Sequence, residues 1–184
     1  MSHSEETLQQ QFTALQSPSA RERDRVIEEL GDALEHGQLS PETCAVIGHW
    51  LIRSLGKETD ATARESILNA LAKALSHGRL PPTLAWSKVA DELPRLSPPL
   101  LEYGIEILGA CGDPAMRPYL LAQQDHPEPA IRQAAVDALG MLKSAAPEDH
   151  CERGSRCACP GCEAEALPDG LFCPYCEDHH YHTH

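Results

Sequence analysis

The residues with the most specific chemistry lie near the C-terminal end of the chain, in two Cys-x-x-Cys pairs. Cys159-Pro-Gly-Cys162 and Cys173-Pro-Tyr-Cys176 are separated by ten residues. Each pair presents two thiolates from a tight turn, and a ten-residue hairpin can bring both pairs to one tetrahedral Zn²⁺. We therefore expect Zn²⁺ as a cofactor, held by these four cysteines. The alternative is that they are free or form disulfides.

The sequence around these cysteines resembles the short zinc-ribbon modules appended to many prokaryotic proteins. Between the pairs, Leu-Pro-x-Gly-x-Phe contains a Pro168-Asp-Gly turn where the chain must reverse. The resemblance implies a small module that is too short to fold without its metal.

Further metal-binding residue types flank the motif. Cys151 and Cys157 precede it, and His180 and His182 lie in the tail that follows. Thiolates and imidazoles both suit zinc. Three interpretations stay open: a second zinc site built from these four residues, exchange of Cys157 or a histidine for a ribbon cysteine, or a tail that binds metal without a fixed structure.

Composition limits the fold class and the setting. The 184 residues, of which 41% are apolar and 4% aromatic, allow one helical domain with a small appendage. We see no apolar run long enough to span a membrane, and the polar, acidic N-terminus does not resemble a secretory signal. Most of the cysteines crowd together at zinc spacing, so we expect a reducing, cytoplasmic setting.

Net charge narrows the range of partners. The formal charge is −13, and the only basic cluster, Arg21, Arg23 and Arg25, is interleaved with acids. Such a field repels phosphate groups, so we expect no nucleic-acid partner and no membrane. A basic protein is the partner that the charge favours.

An internal repeat organises the chain before the cysteines. A shift of 41 residues aligns residues 26–41 with 67–82. A second, separate shift of 68 residues aligns residues 63–71 with 131–139. Apolar residues recur at three and four positions within each copy, which predicts amphipathic helices. The pattern predicts eight helices, at about 5–16, 19–36, 41–55, 60–77, 82–93, 98–111, 114–123 and 128–143.

Glycine and proline residues mark where the helices of the repeat end and begin. Gly37 and Gly78 follow helices, where we expect both to adopt the left-handed conformation. Pro41 and Pro82 then stand at the first turn of the next helix. We expect Pro94 to interrupt the helical pattern early.

The segment 105–142 resembles a HEAT repeat, and more narrowly the short HEAT-like repeats first named from phycobiliprotein lyases. Residues at the motif positions are Asp113, Pro114, Asp125, Arg132 and Ala135. The resemblance implies an all-α fold, a short solenoid of about eight antiparallel helices over residues 1–145. Residues 146–184 then hold a linker, the Cys₄ ribbon and the His-rich tail. It also implies that Arg64 and Arg132 bond acids and carbonyls between repeats.

The helical region shows none of the common catalytic motifs. We find no H-E-x-x-H, G-x-S-x-G or P-loop pattern. Cys44 and Cys111 lie singly in helical patterns, as buried hydrophobic residues do. His36 and His77 adjoin helix-ending glycines, which suits a role at the helix C-terminus.

These observations favour a non-enzymatic protein that binds another protein, as an adaptor or an inhibitor. One specific version is an immunity protein that neutralises a basic toxin. Glu102 and Glu106, four apart on one helix face, are candidate contacts for a basic partner, and Trp50 and Trp86 are candidate apolar anchors. The alternative, which rests on fold analogy alone, is a bilin-lyase-like or other HEAT-fold enzyme.

Overall fold

The computed structural model describes residues 3–145, with side chains described from residue 7 to residue 142. Throughout this range the regular secondary structure is helical. The α-helices are α1 His3–Ala14, α2 Ala20–His36, α3 Pro41–Leu55, α4 Ala61–Ser76, α5 Ser87–Glu92, α6 Pro98–Ala110, α7 Arg117–Leu121 and α8 Pro129–Ala145. Short 3₁₀ turns at Leu93–Arg95 and Pro114–Met116 precede α6 and α7. No described helix is long and apolar enough to cross a membrane.

Side-chain caps begin α2, α3 and α4. Ser19 and Ser40 each accept a hydrogen bond from the backbone N–H three residues later. Asp60 accepts from the backbone N–H groups of Thr62 and Ala63. These bonds satisfy donors that the first turn of a helix leaves unpaired. They explain why these helices begin within one residue of the predicted positions, with Pro41 in the first turn of α3 as expected.

Two turn predictions are wrong. Gly37 is extended, with φ of −72°, whereas Gly78 has the expected positive φ of 62°. Pro82 does not open a helix, because α5 starts only at Ser87. Pro81 precedes Pro82 directly, and a residue before proline is displaced from helical geometry. The chain therefore passes residues 81–86 in turns before α5 begins.

Proline also shortens two helices. The 3₁₀ turn Leu93–Arg95 follows α5 at the expected interruption by Pro94. The predicted helix over 114–123 is a 3₁₀ turn followed by the five-residue α7, which has Pro118 in its first turn.

Helices α2, α4, α6 and α8 pack in chain order, each against the next. We call these four helices the even-helix row. The intervening helices lie against it: α3 contacts α2 and α4, α5 contacts α6, and α7 contacts α8. Their apolar faces form a hydrophobic core that includes Leu30, Leu71, Trp86 and Leu108, each fully buried.

Small residues bring neighbours in the row close together. A Cβ atom on Gly31 of α2 would lie 3.0 Å from Cβ of Ala70 on α4. A Cβ atom on Gly109 of α6 would lie 2.6 Å from both Cα and Cβ of Ala138 on α8. The second pair therefore needs glycine, because real Cβ atoms do not approach a backbone that closely.

Candidate functional site

The predicted zinc ligands lie outside the described residues. Cys159, Cys162, Cys173 and Cys176, and the additional candidates Cys151, Cys157, His180 and His182, all follow residue 145. The Cys₄ site and the domain boundary at 145/146 remain predictions. Within the described part of the chain, no three His, Cys, Asp or Glu side chains are grouped as a metal site would require.

The candidate contacts on α6 are exposed. Glu102 and Glu106 both lie on the solvent side of that helix, as their four-residue spacing predicts. Because α6 packs between α4 and α8, these carboxylates lie on the outer face of the even-helix row.

The same face positions recur on the other helices of the row. The buried residues of α2, α4, α6 and α8 repeat in register, which makes Glu65 on α4 equivalent to Glu102, and Asp137 on α8 equivalent to Glu106. A 2.7 Å hydrogen bond from Ser66 Oγ to Asp24 Oδ1 and the Gly31–Ala70 contact place α2 and α4 in that register. Acidic residues therefore follow one another across neighbouring helices.

Charge is distributed unequally between the two sets of helices. The exposed acids on the even-helix row, counted to Leu142, are Glu22, Glu28, Glu29, Asp32, Glu65, Glu102, Glu106 and Asp137. The exposed bases on it are Arg21, Arg25, Lys73 and Arg132. On α3, α5 and α7 the exposed charges balance, as Glu42 and Asp91 against Arg53 and Lys88. The even-helix row is thus the more negative side.

Apolar side chains accompany these acids. Tyr103 on α6 is 39% exposed and Val136 on α8 is 50% exposed. Each is the immediate sequence neighbour of an exposed acid, Glu102 and Asp137 respectively. Val46 on α3 and Leu121 on α7 are exposed as well, so it is the acids and not the apolar residues that distinguish the even-helix row.

The two tryptophans differ from the expectation that both are surface anchors. Trp86 is fully buried in the core, so it is not available to a partner, and its proposed anchoring role is wrong. Its indole Nε1–H has no hydrogen-bond acceptor among the described residues. Trp50 is half-buried, stacks on Phe12 with ring centroids 5.0 Å apart, and lines a pocket.

Two ion pairs with buried carboxylates connect separate parts of the fold. Arg23 on α2 binds the carboxylate of Glu58 through two 2.7 Å hydrogen bonds, and Arg64 on α4 binds Glu92 at 3.0 Å. The hydrogen bonds from Arg23 are the main cause of the lowered pKa of Glu58. Both carboxylates are bound by arginine side chains. We therefore interpret them as members of structural ion pairs and not as acids or bases available to a substrate.

The remaining candidates behave as structural residues. Arg132 donates to the carbonyls of His126 and Pro127, just before α8. Nδ1 of His77 lies 2.8 Å from the carbonyl oxygen of Lys73 at the end of α4, as expected for a histidine at a helix C-terminus. Cys44 is buried, as expected.

Cys111 is likewise buried, and desolvation raises the pKa of its thiol to about 11. Sγ donates a hydrogen bond to the carbonyl of Leu108 at 3.2 Å. A thiol held in its protonated form is a poor nucleophile, so this cysteine has the properties of a core residue.

No protein-family model matches the chain, and no curated protein is significantly similar to it.

Proposed function

We propose that this chain is a non-enzymatic, zinc-containing protein of the HEAT-like repeat type that binds another protein through the outer face of its even-helix row. The partner has a basic surface, and the chain acts as its adaptor or inhibitor. The specific version that we favour is an immunity protein that neutralises a basic toxin. The observation that carries the proposal is the concentration of exposed acids on this face, including Glu65, Glu102 and Asp137.

The packing order supports the repeat assignment. In a solenoid, each helical hairpin contacts its neighbours in the chain, and equivalent helices stack side by side. The sequence α2, α4, α6, α8 follows this order. The Gly31–Ala70 and Gly109–Ala138 contacts recur at equivalent positions in the first and last pairs of the row.

The composition of the face suits a protein partner better than a small substrate. Tyr103 and Val136 supply apolar area among the carboxylates, and the acids are distributed across helices instead of converging on one point. Separate charges on a broad surface steer a partner and set its orientation. Zinc, held by the C-terminal cysteines, has a structural role in this proposal.

Paired charge reversals test the face. In affinity capture from the native host, Glu102→Lys/Glu106→Lys should lose the partner that the wild-type chain retains. Glu42→Lys/Asp91→Lys, on exposed positions of α3 and α5, makes the same change in net charge and should retain it. Binding should also weaken as salt rises from about 50 mM to about 500 mM, where exposed charges are screened within a few ångströms.

Three outcomes would contradict the proposal. One is equal capture by both double variants. Another is salt-independent binding. The last is turnover of a substrate by the purified chain alone, which would establish an enzyme instead.

A further inference from the structure

A pocket separate from the even-helix face lies where the end of α1, the first turn of α2 and the end of α3 meet. Its volume is about 370 Å³, within the range of small-molecule sites in proteins. Trp50, Arg53 and Lys57 contribute from α3 and the turn that follows it, and the Arg23–Glu58 ion pair forms part of the lining.

The aromatic side of the pocket is fixed in place. The Trp50 ring stacks on Phe12 at an interplanar angle of 12°. The guanidinium carbon of Arg53 lies 5.4 Å from the centroid of the Trp50 ring, a cation–π contact. Phe12 and Arg53 thus cover the Trp50 ring, so an apolar group that enters the pocket meets the edge of the indole.

The pocket contains two cations that have no carboxylate partner. Among the described residues, neither Arg53 nor Lys57 forms an ion pair, whereas Arg23, Arg64 and Arg95 each do. The end of α3 favours cations, because the carbonyl end of a helix is negative. Both residues line the pocket, with the Arg53 guanidinium over the Trp50 ring.

The one acid in the lining does not neutralise these cations. Oε1 of Glu58 accepts hydrogen bonds from Arg23 and from the backbone N–H groups of Thr59 and Asp60, and Oε2 accepts from Arg23. With this carboxylate fully engaged, the local excess of positive charge remains for a ligand. On a chain of net charge −13, such a concave cationic site is an exception to the general field.

We propose that this pocket binds a carboxylate attached to a flat apolar group. The carboxylate lies between Arg53, in the last turn of α3, and Lys57, in the turn that follows the helix, and the apolar group packs against the edge of Trp50. A doubly charged phosphate fits less well. The backbone N–H groups of Thr59 and Asp60 that would hold it already donate to Glu58, and the field of the whole chain opposes a second negative charge.

Titration with benzoate, followed by ¹H–¹⁵N NMR of the full-length zinc-loaded chain, tests the site. The chain has two tryptophans, so the indole N–H of buried Trp86 is an internal reference for that of Trp50. Benzoate should shift the Trp50 signal saturably and leave the Trp86 signal unchanged. Benzamide, which has the same ring without the charge, should shift neither.

Charge-removing variants locate the carboxylate. Arg53→Gln and Lys57→Gln should each weaken benzoate binding about fivefold or more, as the loss of one charge-assisted hydrogen bond does. Lys88→Gln removes an equal charge from an exposed position of α5 outside the pocket and should leave the affinity unchanged.

Two further ligands test whether the carboxylate belongs to a protein C-terminus or to a free aromatic acid. An N-acetylated tripeptide ending in a phenylalanine carboxylate, compared with its C-terminal amide, tests a protein C-terminus. Tighter binding of this acid than of benzoate assigns the pocket to a peptide end. Binding of benzoate without the peptide assigns it to a free aromatic acid.

The proposal is overturned by the absence of a saturable Trp50 shift with either acid, by equal shifts from benzamide, or by equal weakening in Lys88→Gln. Inorganic phosphate that competes as well as benzoate would also overturn it, because the site would then be a non-selective cationic surface. None of these results bears on the even-helix face, so the two proposals can fail separately.

Discussion

Arg23 and Glu58, separated by 35 residues, form a two-pronged ion pair that ties the first turn of α2 to the loop between α3 and α4. The Glu58 side chain is only 3% exposed, yet each of its oxygens is hydrogen-bonded. A buried charge that loses its partner is costly, because neither water nor another group replaces the lost bonds. The pair therefore holds one helical hairpin against the next.

This ion pair predicts a specific acid sensitivity. The pKa of Glu58 is lowered in the folded chain, so its contribution to stability is complete above the unfolded pKa and is lost as pH falls through the folded value. Glu58→Gln should reduce the free energy of unfolding by about 3–5 kcal/mol at pH 7. In urea titrations followed by circular dichroism, the difference in free energy of unfolding between variant and wild type should become smaller as pH falls to 3.

A matched control for this prediction is Glu65→Gln, which makes the same chemical change at an exposed position of α4. It should change stability at pH 7 by no more than about 0.5 kcal/mol. A gap between Glu58→Gln and wild type that stays constant from pH 7 to pH 3 would show that Glu58 does not stabilise the fold through its charge.

The equivalent pair one repeat later shows what the sequence could and could not predict. The 41-residue shift places Arg23 on Arg64, and a role for Arg64 between repeats was expected from the HEAT resemblance. Its partner Glu92 was not predicted. Arg64 and Glu92 are separated by 28 residues instead of 35, because the segment around the short α5 contains fewer residues than that around α3. A fixed shift therefore cannot align the two acids.

The close contact between α6 and α8 predicts a large effect from one methyl group. Gly109→Ala should destabilise the chain by about 1–3 kcal/mol, because the new Cβ meets the backbone of Ala138, which cannot rotate away. Gly56→Ala is the control: Gly56 has helical φ and ψ, and its Cβ would approach only Glu92 Oε1, at 3.7 Å. Thermal unfolding should rank Gly109→Ala well below Gly56→Ala, and equal midpoints would refute the close-contact argument.

The two tryptophans are expected to contribute unequally to stability. Trp86→Ala should cost about 3–5 kcal/mol, as expected when a large side chain is removed from a core. Trp50→Ala should cost less, about 1–2 kcal/mol, since Trp50 is half-buried and loses mainly its stacking on Phe12. Urea titrations of both variants measure the difference. A larger loss at Trp50 would mean that this residue belongs to the core.

Helix positions were more predictable than side-chain environments. The helices α2, α3, α4 and α6 combine clear apolar periodicity with Ser, Asp or Pro at their N-termini. Local residues therefore determine where these helices begin. Burial of Trp86 and the pocket at Trp50 depend on which helices meet, which periodicity within one helix does not specify.

Buried thiols should remain unreactive in the folded chain. Cys44 and Cys111 are nearly inaccessible, and the raised pKa of Cys111 keeps its thiol protonated at ordinary pH. Iodoacetamide at about pH 8 should label neither cysteine within the time that fully labels both in urea. Peptide mass spectrometry distinguishes them from the C-terminal cysteines. Rapid labelling of Cys111 without denaturant would mean that α6 opens at its end.

The C-terminal cysteines predict one tightly bound Zn²⁺ per chain. If Cys159, Cys162, Cys173 and Cys176 form the site, X-ray absorption should give four sulfur ligands at about 2.3 Å. Cys173→Ser should lower the affinity for zinc and leave the helical circular dichroism of the preceding domain unchanged, because that domain has its own core. Cys44→Ser, at a buried position in α3, should instead destabilise the helices and retain the metal. Less than half an equivalent of zinc after purification without chelator would contradict the prediction.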